Sequence, residues 1–377
     1  MAKSATKDMT EGSPVKLILG FFIPMLCGLL FQQLYNMADT IIVGKFLGVK
    51  ALAAVGSTGS INFMIIGFCL GVCSGFAIPV AQKFGEKNMK ALRRFVANGG
   101  WLAAAFAVVM TTTVCLFCRD ILELMQTPED IIDGAYSYIF VIFLGIPATY
   151  LYNLLSCTLR SLGDSTTPLL FLVFSSVVNV ALDLFTILVL DMGVAGAGWA
   201  TITAQAVSGL LCLFYMKKKY TILKMNEDEW KPDRHYMKIL CNMGIPMGLQ
   251  YSITAIGSVV LQTAVNSLGS MAVAAVTAGS KISMFFCCPF DALGSTMATY
   301  GGQNVGARKL DRIDQGLKAG SMIGCVYAVI AFGVLFFFGD LIALMFVDPG
   351  ETEILRNTKW FLIANSVFYI PLLYVNT

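Results

Sequence analysis

The chain has 377 residues, of which 57% are hydrophobic and 13% are charged, and its formal net charge is +3. Soluble domains carry about 25% charged residues, so this composition excludes a soluble globular protein. It predicts an all-α integral membrane protein that is embedded in a lipid bilayer and has no nucleic-acid partner.

Apolar runs long enough to cross a bilayer, about 20 residues each, occur ten times. They predict ten transmembrane helices, most of which are joined by short polar turns. The predicted spans are 15–38, 51–80, 92–118, 131–157, 169–190, 195–216, 236–265, 272–300, 313–338 and 354–377.

The distribution of Lys and Arg predicts the orientation of these spans. Of the 26 Lys and Arg residues, 20, including Lys3, fall on the side that carries the N-terminus, and five fall on the other side. Lys281 lies within a span. By the positive-inside rule, the N-terminus is predicted to be cytoplasmic.

Three pairs of short motifs indicate an internal repeat of about six helices. An Ile-Pro-Met motif ends at Met25 and again at Met247, and Gln82-Lys-Phe-Gly85 matches Gln303-Asn-Val-Gly306. The third pair is Ala-Leu-Ala-Ala-Val at 51–55 and Ala-Val-Ala-Ala-Val at 272–276. An even number of helices per repeat predicts two bundles related by a pseudo-twofold axis along the membrane normal, with a substrate path between them.

The repeat also predicts the domain organisation. The expected parts are an N-terminal six-helix lobe (1–216), a solvated cytoplasmic linker (217–235) and a C-terminal lobe (236–377). Only about four helices fit into the last part, so the second bundle is expected to be incomplete. Its fifth and sixth helices would need roughly 60 further residues.

Three polar residues inside apolar spans are the first candidates for function. Asp39 closes the first long apolar segment, and a carboxylate there costs about 2.5–3.5 kcal/mol on insertion scales. Asn179 and Asp183 stand four residues apart and therefore share one helix face. This pattern favours a proton or cation site, although a polar pair that only packs two helices together gives the same pattern.

Two further residues leave alternatives open. Pro24 either bends the first helix during function or makes a static kink. Lys281 either contacts Asp39 or a substrate across the cleft, or extends its ammonium group to a membrane interface.

Four motifs, in this order and spacing, resemble the multidrug and toxic compound extrusion (MATE) family, and most closely its bacterial DinF-like branch. The first is Asn36-Met-Ala-Asp39-Thr-Ile-Ile-Val-Gly44, and the second is Gln82-Lys-Phe-Gly-Glu-Lys-Asn88. The third is Leu159-Arg-Ser-Leu-Gly-Asp-Ser-Thr-Thr-Pro168, and the fourth is Gln303-Asn-Val-Gly-Ala-Arg-Lys309. The resemblance covers essentially the whole chain.

The resemblance implies a twelve-helix antiporter that exports organic, often cationic, compounds in exchange for H⁺ or Na⁺. It implies a coupling site at Asp39, Asn179, Asp183 and Thr201, with transient Na⁺ at the two aspartates. It also implies that the first helix bends at Pro24 and that the protein lies in the bacterial cytoplasmic membrane. The residues expected to line a substrate cavity are Gln33, Tyr35, Asn36, Asn153 and Lys281.

Other functions fit the sequence less well. A lipid-linked sugar flippase of a related fold is the alternative, but its cleft should carry several basic residues. An enzyme is not expected, because the chain has a single histidine and no Asp-Asp-x-x-Asp motif. We expect a monomer without a cofactor or a resident metal.

Overall fold

The computed structural model describes residues 6–266, 269–344 and 349–377, and Lys3 lies outside them. All regular elements in these ranges are helical. The α-helices are α1 Pro14–Leu47, α2 Val49–Ser57, α3 Gly59–Gly85, α4 Met89–Leu116, α5 Cys118–Leu124, α6 Ile132–Leu144, α7 Ile146–Ser161, α8 Thr166–Leu184, α9 Gly193–Lys219, α10 Arg234–Asn266, α11 Ser270–Gly306, α12 Leu310–Ala343, α13 Thr352–Val367 and α14 Tyr369–Asn376.

The helices confirm the number of predicted spans. Within the described residues, eight spans are long and apolar enough to cross a membrane, and two bent helix pairs raise the number to ten if each pair is one span. The pairs are α6 with α7, bent by 47°, and α13 with α14, bent by 46°. Each bend lies beside an Ile-Pro dipeptide, at Pro147 and Pro371, because proline lacks the N–H that continues a helix.

Side chains form two hydrophobic cores. The first core contains buried residues from Ile42 to Leu240, and the second contains Met9, Ile18 and Phe21 together with residues of α11 to α14. Helix α1 therefore begins in one core and ends in the other. We call α1 to α9 the N-terminal half and α10 to α14 the C-terminal half; the predicted lobe boundaries stay a prediction.

Glycines bring the two halves into close contact along α3 and α10. Gly67, Gly71 and Gly75 repeat every four residues on α3, and a Cβ at Gly71 or Gly75 would collide with the backbone of α10. Small residues at this spacing let helix backbones approach closely in a membrane. A hydrogen bond of 3.3 Å from Ser252 Oγ of α10 to Met64 O continues this contact towards the start of α3.

The repeat motifs meet at the closed end. A Cβ at Gly85 would collide with the carbonyl oxygen of Gln303, and a Cβ at Gly306 would collide with that of Gln82. Equivalent residues of the two repeats therefore contact each other reciprocally, as a twofold axis between them requires. The N-terminal segment covers the same end: Lys7 N donates to Leu162 O at 3.0 Å, and Met9 N donates to Gln303 Oε1 at 2.8 Å.

One acidic residue of the linker between α9 and α10 is buried against α4. Glu229 is only 2% exposed, and its carboxylate accepts hydrogen bonds from Arg93 of α4 at 2.7 and 2.8 Å. Trp101 of α4 also donates to the carbonyl oxygen of Trp230 at 2.9 Å. Most other residues of the linker are exposed, so the ion pair between Glu229 and the half-buried Arg93 fixes a largely solvated linker to α4.

Candidate coupling site and substrate cavity

Helices α1, α8 and α9 supply the predicted coupling residues: Asp39, then Asn179 and Asp183, and Thr201. Pro24, Gln32, Tyr35 and Asp39 recur at helical spacing on α1, so they share a face. Helix α8 continues after Asp183 into a π-helical turn, Phe185–Val189. Such turns widen a helix locally and often occur at functional sites.

Asp39 and Asp183 lie next to each other between α1 and α8. Asp183 is fully buried, and its carboxyl group lies close enough to that of Asp39 for the two groups to interact electrostatically. Both oxygens of Asp183 and Oδ1 of Asp39 are buried without a hydrogen-bond donor from the protein. Two ionised carboxylates at such a distance repel each other, so the pair favours a bound proton or cation.

Asn179 connects this acid pair to α9. Its side chain is 2% exposed, and its Nδ2 donates to Thr201 Oγ1 at 3.3 Å. Its Oδ1 is buried without a donor, like the carboxylate oxygens. The structure thus brings Asp39, Asn179, Asp183 and Thr201 together, and their free groups are oxygens, which hard cations prefer as ligands.

Two tyrosines flank the acid pair. Tyr35 of α1 and Tyr138 of α6 both lie close enough to interact electrostatically with Asp39 and Asp183. Tyr138 is 6% exposed. It was not predicted from the sequence, since nothing in the pattern of α6 distinguishes it from a core tyrosine. Tyr138 comes close to the acid pair only because α6 packs against α9.

A cavity of about 80 Å³ extends from the coupling residues between α1, α3, α7, α8 and α9. This volume holds several water molecules. The predicted residues Pro24, Tyr35, Asn153, Asn179 and Thr201 line it. Thr149 and Gln205 are further lining residues, joined by a hydrogen bond of 2.7 Å from Thr149 Oγ1 to Gln205 Oε1.

A polar stripe on α7 forms one wall of this cavity. Thr149, Asn153, Ser156 and Arg160 follow at helical spacing, and three of them line the cavity. Ser156 is buried, and its hydroxyl has no hydrogen-bond partner in the protein. The spacing of this stripe is visible in the sequence, so Ser156 and Arg160 could have been identified together with Asn153.

Three residues expected in the substrate cavity do not line it. Gln33 points instead towards Cys288 of α11, and Asn36 is exposed. Lys281 is also exposed on α11. Gln33 and Asn36 lie on α1 and Lys281 lies on α11, so the structure does not bring these three residues to the cavity that Tyr35 and Asn153 line.

The described residues contain no cluster of three or more His, Cys, Asp or Glu side chains that could hold a metal ion.

The chain is similar to many known proteins, and two of them come from one organism. A probable multidrug resistance protein of Bacillus subtilis (strain 168), YoeA, is 28% identical over 354 residues, which are 90% of this chain and 76% of that protein. A second such protein of the same organism, YpnP, is 28% identical over 375 residues, with 98% of this chain and 82% of that protein covered.

The fold is that of a known transporter structure. An outward-facing multidrug resistance MATE family transporter of the MOP superfamily superimposes with a TM-score of 0.90 at 24% identity, over 99% of this chain and 83% of that one. The family model MatE matches residues 24–185 and 246–377. These two ranges make up most of the chain and include the acid pair and both repeats. The chain therefore belongs to the MatE family of membrane transporters.

Proposed function

We propose that the protein is a secondary antiporter that exports organic, chiefly cationic, compounds in exchange for H⁺ or Na⁺. The observation that carries this proposal is the buried pair of Asp39 and Asp183, which has acceptor oxygens and no donor. Each carboxylate makes ionisation of the other unfavourable, so the pair titrates as a unit and binds one proton or cation readily.

Occupancy of the pair can drive a conformational change through α1. This helix carries Asp39 near one end, packs Ile18 and Phe21 into the second core, and includes Pro24 between them. Proline leaves the carbonyl group of Gly20 without its helical hydrogen bond, which lowers the cost of bending. Binding of a proton or Na⁺ at Asp39 changes the repulsion between α1 and α8. A ligand shifts a conformational equilibrium only if it binds the two conformations with different affinities, and this change in repulsion supplies such a difference.

The substrate class is supported by the relatives and by the cavity. YoeA and YpnP are named probable multidrug resistance proteins. The cavity combines the apolar side chains of Met25, Leu29 and Ile66 with the amides of Asn153 and Gln205. Sites of this kind bind apolar molecules and orient them through a few polar groups. A sugar flippase would need several cations here, and among the described residues Arg160 is the single basic residue that lines the cavity.

The test is efflux from proteoliposomes loaded with a fluorescent organic cation. We expect efflux when a proton gradient or a sodium gradient is applied, and none without a gradient. Asp39→Asn should insert normally, because it removes a costly charge, yet lose gradient-driven efflux. Efflux by Asp39→Asn at the wild-type rate, at matched protein levels, would show that Asp39 is not the coupling residue.

The proposed location is the bacterial cytoplasmic membrane, with the N-terminus inside, as the Lys and Arg distribution predicts. Asp228, in the exposed part of the linker, then faces the cytoplasm. In a cysteine-free background, Asp228→Cys should react with an impermeant thiol reagent only after the cells are permeabilised. Labelling of intact cells would reverse the orientation.

A further inference from the structure

The segment that leads into α1 is bound to the opposite half of the molecule. In this segment, residues 7–12, which we call the strap, Met9 is 0% exposed and Thr10 is 2% exposed. The side chain of Met9 belongs to the second core, together with residues of α11 to α14. The carbonyl oxygen of Met9 accepts hydrogen bonds from Asn304 Nδ2 at 3.3 Å and from Arg312 Nη2 at 3.4 Å. The strap therefore leads into a helix of the N-terminal half while the C-terminal half holds it.

Further hydrogen bonds fix the backbone of the strap to the C-terminal half. Lys309 Nζ donates to the carbonyl oxygen of Thr10 at 2.9 Å, and Arg312 Nη1 donates to that of Gly12 at 3.0 Å. The backbone N–H of Lys7 donates to the turn after α7, as described above, so the strap also contacts the N-terminal half. The strap thus joins the two halves.

The linker that leads into α10 is arranged in the same way, with the halves exchanged. In addition to the ion pair of Glu229 with Arg93, the backbone N–H of Asp233 donates to Asn98 Oδ1 at 2.8 Å. Asn98 lies on α4 and is completely buried. Asp233 immediately precedes the first residue of α10. The linker therefore leads into a helix of the C-terminal half while the N-terminal half holds it.

The first turns of the two helices continue this exchange. At the start of α10, the ring of Tyr236 packs edge-on against Phe95 of α4, with the ring centroids 4.7 Å apart, and Leu240 is buried in the first core. At the start of α1, Ile18 and Phe21 are buried in the second core. Each half thus binds the entry to the first helix of the other half, as a twofold axis between the repeats requires.

From this exchange we propose that the strap and the linker are two reciprocal clasps, which keep the molecule shut at the end where Gly85 and Gly306 lie. Each clasp leads into the first helix of one half and is bonded to the other half, so the halves separate there only when both clasps release. An alternating-access transporter opens this end in one of its states. The inference rests on the proposed transport function and adds the contacts that hold one of its states.

Opening can be measured at a cysteine that the contact between the halves protects. Ala81 of α3 is 2% exposed, and a Cβ added at Gly302 of α11 would lie 3.0 Å from the Ala81 Cβ. Ala81→Cys, in a cysteine-free full chain in nanodiscs, should therefore react with a water-soluble thiol reagent only when the halves part. Where opening and closing are fast compared with labelling, the labelling rate is proportional to the open population. The measurement needs no gradient and no substrate, so a failure of the proposed antiport does not affect it.

Each clasp has a test variant and a matched control. Met9→Asp places a charge in the second core and should expel the strap, whereas Met9→Leu keeps an apolar side chain of similar size. Glu229→Gln removes the ion pair of the linker, whereas Asp228→Asn removes an exposed pair with Lys231. Each test variant should label Ala81→Cys at least about tenfold faster than the parent protein, and both controls should label at the parental rate. The double variant should show the product of the two increases, because independent contributions add as free energies.

A milder variant keeps the strap testable if Met9→Asp does not fold. Lys309→Met removes the hydrogen bond to the carbonyl oxygen of Thr10 and leaves both cores unchanged. It should speed the labelling of Ala81→Cys by about 2- to 10-fold. Labelling of Lys309→Met at the parental rate would overturn the assignment of the strap as a clasp.

A second reporter separates opening from unfolding. Cys69 is 0% exposed in the first core, and its Sγ lies 4.0 Å from Met110 Sδ of the same half. With Cys69 as the single cysteine, Met9→Asp and Glu229→Gln should label at the parental rate. An equal rise at Cys69 would indicate general unfolding and overturn the proposal, and so would unchanged labelling of Ala81→Cys. An increase in one test variant alone would contradict the reciprocal arrangement.

Discussion

Asn179 lies in the coupling site as a neutral group between acids, and its contribution should differ from theirs. Its Nδ2 donates a hydrogen bond to Thr201 Oγ1, and its Oδ1 is buried without a hydrogen-bond donor. A single neutral hydrogen bond is worth about 0.5–1.5 kcal/mol. We therefore expect Asn179→Ala to weaken the apparent affinity for the coupling ion by roughly 2- to 10-fold, with efflux still driven by the gradient.

The measurement is the dependence of efflux on pH or on sodium concentration in proteoliposomes. Thr201→Val, which keeps the shape of the side chain and removes the hydroxyl group, should cause a shift of the same size, because it breaks the same bond. Complete loss of efflux in Asn179→Ala would show that the amide is as essential as Asp39.

Residues on one helix could be predicted, whereas residues that meet across helices could not. The spacing of Asn179 and Asp183 placed both on one face, and the structure buries both together. Tyr138 and Gln205 reach the site from α6 and α9, and their positions depend on how three helices pack. An isolated tyrosine or glutamine in an apolar span carries no such signal.

At the scale of elements, the linker between α9 and α10 is fixed to α4 by an ion pair that is sensitive to pH. The hydrogen bonds from Arg93 lower the pKa of Glu229 to about 2, against an ordinary value of 4.5. Because this pKa is lower in the folded protein than in the unfolded chain, the ionised carboxylate stabilises the folded protein at pH values above the ordinary pKa. The gain is complete above a pH of 4.5 and is lost as the pH falls towards 2.

We expect Glu229→Gln to lower the thermal unfolding temperature in detergent by a few degrees at neutral pH, because it leaves the half-buried Arg93 without its partner. The difference from the wild-type protein should shrink as the pH falls towards 2. Asp228→Asn is the matched control: its pair with Lys231 is exposed, and such pairs contribute little. An equal loss in both variants would mean that linker charge, rather than the buried pair, is responsible.

The helices themselves were predictable because their apolar runs are long and few polar residues interrupt them. The bends between α6 and α7 and between α13 and α14 were read as continuous spans, since a proline within an apolar run marks a kink or a break equally well. The ion pair that fixes the linker could not be predicted for a different reason: a run of acidic residues identifies a polar segment, but the partner of Glu229 on α4 lies more than a hundred residues away.

At the scale of the whole molecule, the repeat motifs determine where the halves close. Gly85 and Gly306 occupy equivalent positions in the two repeats, and each faces the backbone of the other repeat's glutamine. The sequence showed the repeat, but not that its two copies touch. That contact depends on a twofold axis passing between them, which a pattern along one chain does not locate.

The transporter should be able to close at this end only because Gly85 and Gly306 have no side chain. A methyl group at either position would overlap a carbonyl oxygen of the opposite half, and backbone atoms cannot rotate away as a flexible side chain can. Gly85→Ala and Gly306→Ala should therefore disfavour the state closed at this end. Cross-linking of a cysteine pair, Glu86→Cys with Arg308→Cys, reports on closure, because these two residues lie near each other across the contact. We expect at least a severalfold slower cross-linking in both glycine variants.

The control is Gly301→Ala, on the same helix as Gly306. Nothing lies within 4 Å of a Cβ at Gly301, so this variant should cross-link at the parental rate. Unchanged cross-linking in Gly306→Ala would show that the halves can close without this contact.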